Sequence, residues 1–207
     1  MSGLRERKKQ ATREALMSAA LRLTLERGLE NVRIEDIAAE AGVSTRTFSN
    51  YFSSKYEALA ARHTDRAAHQ VAALRTRPAH EPLWQALTEA TVQAWERHTG
   101  PEATAPEPER LAATRLLVDE PSLRAEALKL AFASQQELAA AVAERTGSDP
   151  GRDLYPHLVA VTVTAAVQAA VGHWLYADPP VPIVPLLRDA LQQLAAGLPD
   201  PLTQGDT

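Results

Sequence analysis

Apolar residues recur along this 207-residue chain at the i, i+3, i+4, i+7 spacing of a helix face, and no stretch alternates convincingly like a strand. Leu16, Ala19, Ala20 and Leu23 predict a first helix over about 7–27, stopped at Gly28. Ile34, Ile37, Ala38 and Ala41 predict a short second helix, and Phe48 and Phe52, with Tyr51 beside them, a third from Thr45 to about Phe52. Tyr56, Leu59, Ala60, His63, Ala67, Val71 and Leu74 share one face of a long fourth, which ends before Pro78. Further helices follow over about 82–98, 109–118, 120–145, 154–177 and 184–196. They are parted by a Pro-rich loop at 99–108, by Gly147-Ser148-Asp149-Pro150-Gly151 and by Asp178-Pro179-Pro180-Val181-Pro182. The expectation is an all-α chain of about nine helices: a three-helix head over 1–60, a helical body over 61–198 and a flexible tail over 199–207.

The segment 33–55 reads as two helices meeting at a glycine turn. Glu35 and Asp36 lie in a first turn, where carboxylates favour the positive end of the helix dipole. Gly42 fits the left-handed position that closes a helix, Val43 can drop into the corner, and Ser44 is a good N-cap for the next helix. Ser54 and Glu57 have the S-x-x-E spacing of a capping box, so the fourth helix begins near Lys55.

At about 100° per residue, Arg46 and Asn50 fall one turn apart on the face opposite Phe48 and Phe52, with Ser49 flanking. That chemistry suits a DNA major groove: Arg can hold guanine O6 and N7 in a bidentate pair, and Asn can do the same for adenine N6 and N7. For Thr45, Arg46, Ser49 and Asn50 alone, an ordinary solvated polar surface is usually the better reading, but here it must also explain their place in a helix–Gly turn–helix unit.

Taken together, Ala20 to Gly28, Asp36-Ile37-Ala38, Ala41-Gly42-Val43-Ser44, and Thr47 to Lys55 with Leu59 make residues 12–60 resemble the DNA-binding domain of TetR-type transcriptional regulators. The resemblance implies that Thr45, Arg46, Ser49 and Asn50 read bases and that Ser44, Thr47, Tyr51 and Lys55 touch phosphates. The chain departs from the family at Arg33, where Thr is common; an N-cap hydroxyl is lost and a backbone-facing cation gained. The family also dimerises through its last two long helices. Residues 158–172 are apolar on nearly every side, and such a helix must be covered all round. Val163, Val167 and Val171, with Leu187, Leu191 and Leu194, are the expected four-helix dimer interface; the alternative is that this is simply the central helix of the body.

Charge sharpens the division. Residues 1–62 hold 11 Lys and Arg against 8 Asp and Glu, whereas the remainder holds 11 against 18, so a basic head sits on an acidic body. Arg7, Lys8 and Lys9 belong to an N-terminal cluster that reads as a phosphate or minor-groove arm beside the helix-turn-helix. No cysteine is present, the six histidines show no metal-binding spacing, and no phosphate loop or nucleophile elbow appears, so neither a metal, a cofactor nor catalysis is expected. No apolar run is read as approaching the roughly 18 residues of a membrane span, and the chain reads as cytoplasmic, with no membrane partner. Trp84, Trp95, Phe132 and Trp174 are candidates to line an effector pocket, though aromatics at helical spacing are usually core. The resulting reading is a homodimeric repressor of a palindromic operator, released by a hydrophobic or acyl-bearing effector. Its rivals are an effector-free architectural DNA-binding protein whose body only dimerises, and a helical enzyme with a borrowed head.

Overall fold

Helix-forming periodicity is realised throughout a computed structural model that describes residues 2–99 and 108–199. Among the described residues nine α-helices occur and no strand. They are α1 (Ser2–Arg27), α2 (Ile34–Glu40), α3 (Thr45–Ser49), α4 (Lys55–Thr76), α5 (Leu83–Thr99), α6 (Pro108–Asp119), α7 (Pro121–Thr146), α8 (Leu154–Tyr176) and α9 (Ile183–Ala195), with a single 3-10 turn at Leu29–Asn31. The Pro-rich loop expected at 99–108 and the tail expected at 199–207 lie outside the described residues except at their edges.

Two helices differ from expectation in extent. α1 begins at Ser2 rather than near Arg7 because no proline interrupts the segment, so the basic cluster is helical. α3 stops at Ser49, where the Asn50 N–H turns in to the Thr47 carbonyl at 3.1 Å and tightens the last turn.

The chain forms two compact units. The first takes residues up to Thr64 together with Pro108–Leu130. Its core joins Leu16, Ala20 and Leu23 of α1 to Ile37, Phe48, Phe52 and Leu59. Leu123, which the linear division placed in the body, is buried in this core at 0% exposure, and Leu116 packs against it. A domain of about sixty residues buries too little surface to be comfortably stable, and the added segment enlarges its apolar centre.

The second unit runs from Asp65 and resumes at Ala131. Val71 and Leu74 of α4, Ala86, Leu87 and Ala90 of α5, Leu138 and Val142 of α7, Val159 and Val163 of α8, and Leu191 of α9 form its core. α9 packs along α8 and against α5. Ion pairs fasten the edges: Arg75 donates twice to the Glu144 carboxylate at 2.9 Å, and Arg188 pairs with Glu89. Arg77 pairs with Glu81, while the Arg145 guanidinium donates to the carbonyls of Pro78 and Glu81, both at 2.6 Å. Hydrogen bonds from Arg77 and Arg75 hold the Glu81 and Glu144 carboxyls below the ordinary glutamate range, outweighing the desolvation that opposes them.

This packing bears on two expectations. Val163, Leu187 and Leu191 are 1%, 0% and 0% exposed within their own unit, so their side chains are taken up by its core. Val167, Val171 and Leu194 are half-buried. The open side of α8 carries Leu154, Leu158, Val161, Ala165 and Tyr176, spaced close to one heptad line. The expectation of no membrane-length apolar run fails on composition, because α8 is long and apolar enough to cross a bilayer. Its other side, including Pro156, Val159, Ala160, Val163, Ala170, Trp174 and Leu175, is buried, as in the core helix of a folded unit.

Candidate nucleic-acid interface

The geometry of the first unit begins at Gly42. Its φ of +68° is the left-handed conformation that only glycine adopts freely. Val43 N–H bonds the Ala38 carbonyl at 2.9 Å and Gly42 N–H that of Ala39 at 3.0 Å, the paired closure of a Schellman turn. Ser44 then caps α3: its Oγ accepts from the Thr47 N–H at 3.1 Å and shares a hydrogen bond with Thr47 Oγ1 at 2.9 Å. These contacts fix where α2 ends, where α3 begins and which way α3 faces.

Phe48 anchors α3 from inside at 0% exposure, its ring centroid 5.8 Å from that of Phe52. The Arg13 guanidinium lies 5.2 Å from the Phe52 centroid, a brace from α1 that the spacing of α3 could not reveal. Arg46 and Asn50 are exposed on the opposite side, with Thr45 and Ser49 exposed beside them. The Ser49 hydroxyl donates to the Thr45 carbonyl at 3.1 Å, which leaves its oxygen as an acceptor, whereas Arg46 presents an exposed guanidinium. All four sequence-predicted base-reading residues therefore lie together on one short surface.

The residues expected at phosphates divide. Ser44 and Thr47 sit at the start of α3, and Arg33 is exposed before α2 with its N–H bonded to Asp36 Oδ2 at 2.9 Å; Asp36 thus supplies the capping contact that a Thr would have shared. Tyr51 is half-buried against the aromatic core, 6.5 Å from Phe52. Lys55 is tied down: its ammonium donates to the carbonyls of Leu29 at 2.7 Å and Val32 at 3.0 Å. Two of its three donors serve the fold. Its neighbour Glu57 receives the Ser53 N–H and hydroxyl, both at 2.7 Å, while the Glu57 N–H donates to Ser54 Oγ at 3.1 Å. Arg7, Lys8 and Lys9 are exposed, on a helix and not on an extended arm.

In the second unit, Trp95 and Trp174 are brought together edge-on with centroids 6.4 Å apart. Trp84 is half-buried beside the core, and Phe132, at 65% exposure, faces outward from α7 and is no part of that cluster. A separate groove of about 200 Å³ lies between α4 and α5, lined by His69, Ala72, Ala73, Thr76, Gln93, Ala94 and Arg97; none of the four aromatics lines it. No group of three or more potential metal ligands occurs among the described residues.

Known proteins resemble the chain in both units. Residues 16–61 match the family described as bacterial regulatory proteins, tetR family, and residues 81–199 match the MftR C-terminal domain. The HTH-type transcriptional regulator TcmR of Streptomyces glaucescens is 32% identical over 173 residues, which cover 83% of this chain and 76% of that protein. The fatty acid degradation regulator FadR of Bacillus halodurans aligns over 90% of this chain and 96% of its own, with a TM-score of 0.58 and 17% identity. FadR of Thermus thermophilus, a TetR-family repressor solved with lauroyl-CoA, aligns over 91% and 95%, with a TM-score of 0.55 and 20% identity. The last two establish likeness of fold; the family matches and the 32% relative go further. This chain belongs to the TetR family of DNA-binding transcriptional regulators.

Proposed function

We propose that the chain is a ligand-responsive repressor that binds a palindromic operator as a homodimer. The observation that carries the reading is the two-sided α3: Phe48 is wholly buried while Thr45, Arg46, Ser49 and Asn50 face out together. Two such helices in successive major grooves require half-sites about one helical turn apart, and a two-fold protein reads a palindrome. Positions around Ser44, Thr47, Arg33, Arg7, Lys8 and Lys9 supply phosphate contacts, and Lys55 has one ammonium donor left for the same purpose.

The second copy docks on the exposed apolar line of α8, where Leu158 and Val161 are 51% and 50% exposed. Large contiguous apolar surface of this kind marks an association site. The effector is a small hydrophobic or acyl-bearing molecule taken up by the helical unit; the lauroyl-CoA held by the Thermus thermophilus FadR makes acyl-CoA a fitting first probe. Binding lowers DNA affinity by whatever the effector's preference for the non-reading conformation supplies.

The test is selection of bound fragments from random DNA by the purified protein, followed by titration of the recovered site. A two-fold symmetric motif, bound by two chains and released by an acyl-CoA, is the expected outcome. Recovery of fragments without any shared motif would leave a sequence-blind architectural protein in its place.

A further inference from the structure

In the second unit a line of contacts crosses α4, α5 and α8. The Arg66 guanidinium lies 3.9 Å from the Trp95 ring centroid. Trp95 in turn meets Trp174 at an interplanar angle of 80°. Both indoles are only 5% exposed. The Trp174 Nε1–H is buried and meets no acceptor among the described residues. By contrast the hydroxyls of Thr88 and Thr91 donate to carbonyls one turn back, at 2.8 and 2.7 Å, and Gln70 Nε2 donates to Thr91 Oγ1 at 2.7 Å. An indole nitrogen is a donor only, so just an acceptor can satisfy it, and a buried donor left without one is destabilising.

We infer that Trp174 Nε1 is the anchoring donor for a ligand of the helical unit, and that the ligand is an apolar molecule bearing a neutral carbonyl oxygen, such as a ketone, ester or thioester. The inference rests on reading this unit as ligand-binding and narrows it from an apolar molecule to one bond. The donor at this point is one neutral N–H, and the Arg66 guanidinium is laid against the Trp95 ring, which favours a carbonyl over a carboxylate. A carboxylate would surrender its hydration for one uncharged N–H, and the cost of burying the ion far exceeds that return. The edge-on indole pair provides the apolar wall beside the donor, as aromatic side chains with a polar handle commonly do.

The test uses the whole protein without DNA and two probes of matched skeleton, 2-acetylnaphthalene and 2-ethylnaphthalene, with 2-naphthoate as the charged counterpart. Calorimetry should show the ketone binding about tenfold more tightly than the hydrocarbon, equivalent to about 1.4 kcal/mol, with no such gain for the carboxylate. In Trp174→Phe the preference should fall to about onefold, with the hydrocarbon little changed, because the ring is kept and the donor removed. In the wild-type protein, the ketone and not the hydrocarbon should move the Trp174 indole N–H resonance downfield, a readout that needs no variant. Equal binding of ketone and hydrocarbon, a preference that survives Trp174→Phe, or an unmoved indole resonance overturns the inference while leaving ligand binding intact. Failure of every probe to bind the wild-type protein overturns it together with the effector reading of this cluster.

Discussion

Lys55 Nζ donates to the Leu29 carbonyl across 2.7 Å, joining the first residue of α4 to the 3-10 turn that precedes α2. A second bond runs to Val32 at 3.0 Å, and the aromatic ring of Tyr56 lies 5.5 Å from the ammonium. The lysine is thus a strut of the reading head as well as a candidate phosphate contact. Lys55→Met keeps the apolar stem but leaves two carbonyls without their charged donor. It should destabilise the first unit by about 1–3 kcal/mol in urea unfolding, a loss of the size found for hydrogen bonds to charged groups. Lys8 and Lys9 stand exposed on α1. Replacing both by Ala should leave unfolding nearly unchanged while reducing the salt slope of DNA binding by about one log unit for each phosphate released.

Arg46 and Asn50 are exposed on the far side of α3 from Phe48. Arg46→Ala should weaken binding to the selected operator by about 1–3 kcal/mol and relax discrimination at one base pair in each half-site. Asn50→Ala should do the same at a different pair, with the circular dichroism of both variants unchanged. Phe48→Ala empties a fully buried site and should cost about 3–5 kcal/mol of folding stability. Wild-type discrimination in both folded polar variants would move the reading element elsewhere.

Burial separates association from folding in the second unit. Leu158→Glu combined with Val161→Glu places charges on the open side of α8 and should yield folded monomers in sedimentation velocity. Leu191→Glu instead buries a charge in the unit's own core and should give insoluble or unfolded protein. A fully dimeric Leu158→Glu, Val161→Glu protein would exclude this face as the interface.

Acid should loosen the clasp at the end of α4. The Arg77 hydrogen bond lowers the Glu81 pKa, and the Arg75 hydrogen bond does the same for Glu144. The charged carboxylates are therefore favoured in the folded state. Their contribution is present above the ordinary glutamate value of about 4.3, and it is lost as pH falls through the lowered folded values. The melting temperature should fall across that acid window, and Glu81→Gln and Glu144→Gln together should flatten its pH dependence. An unaltered profile in the double variant would assign the acid sensitivity to other carboxylates.

Local signals were the legible ones. Gly42, Ser44 and the alternation of Phe48 with Arg46 and Asn50 specify the turn and the two faces of α3 within a few residues of each other, so sequence spacing suffices. The Lys55 brace spans 26 positions, and Leu123 reaches the head core from α7; no local period encodes either contact. α8 was hard to read for a different reason. Its sides are similarly apolar, and the packing of α9 decides that Val163 turns inward while Val161 stays open. Trp95 and Trp174 share no helix, so only the fold could bring them together and detach Phe132 from the group.

Leu123 has a consequence for how the chain is made. The head cannot complete its core when its own three helices leave the ribosome, because the leucine that fills it is encoded about sixty residues after Thr64. At about 5–20 residues per second, translation delays that contribution by several seconds. During that interval α1, α2 and α3 hold an unfinished apolar centre, and a gene cut after α4 would make the unfinished state permanent. A reading head grafted onto another protein therefore has to bring α6 and the start of α7 with it.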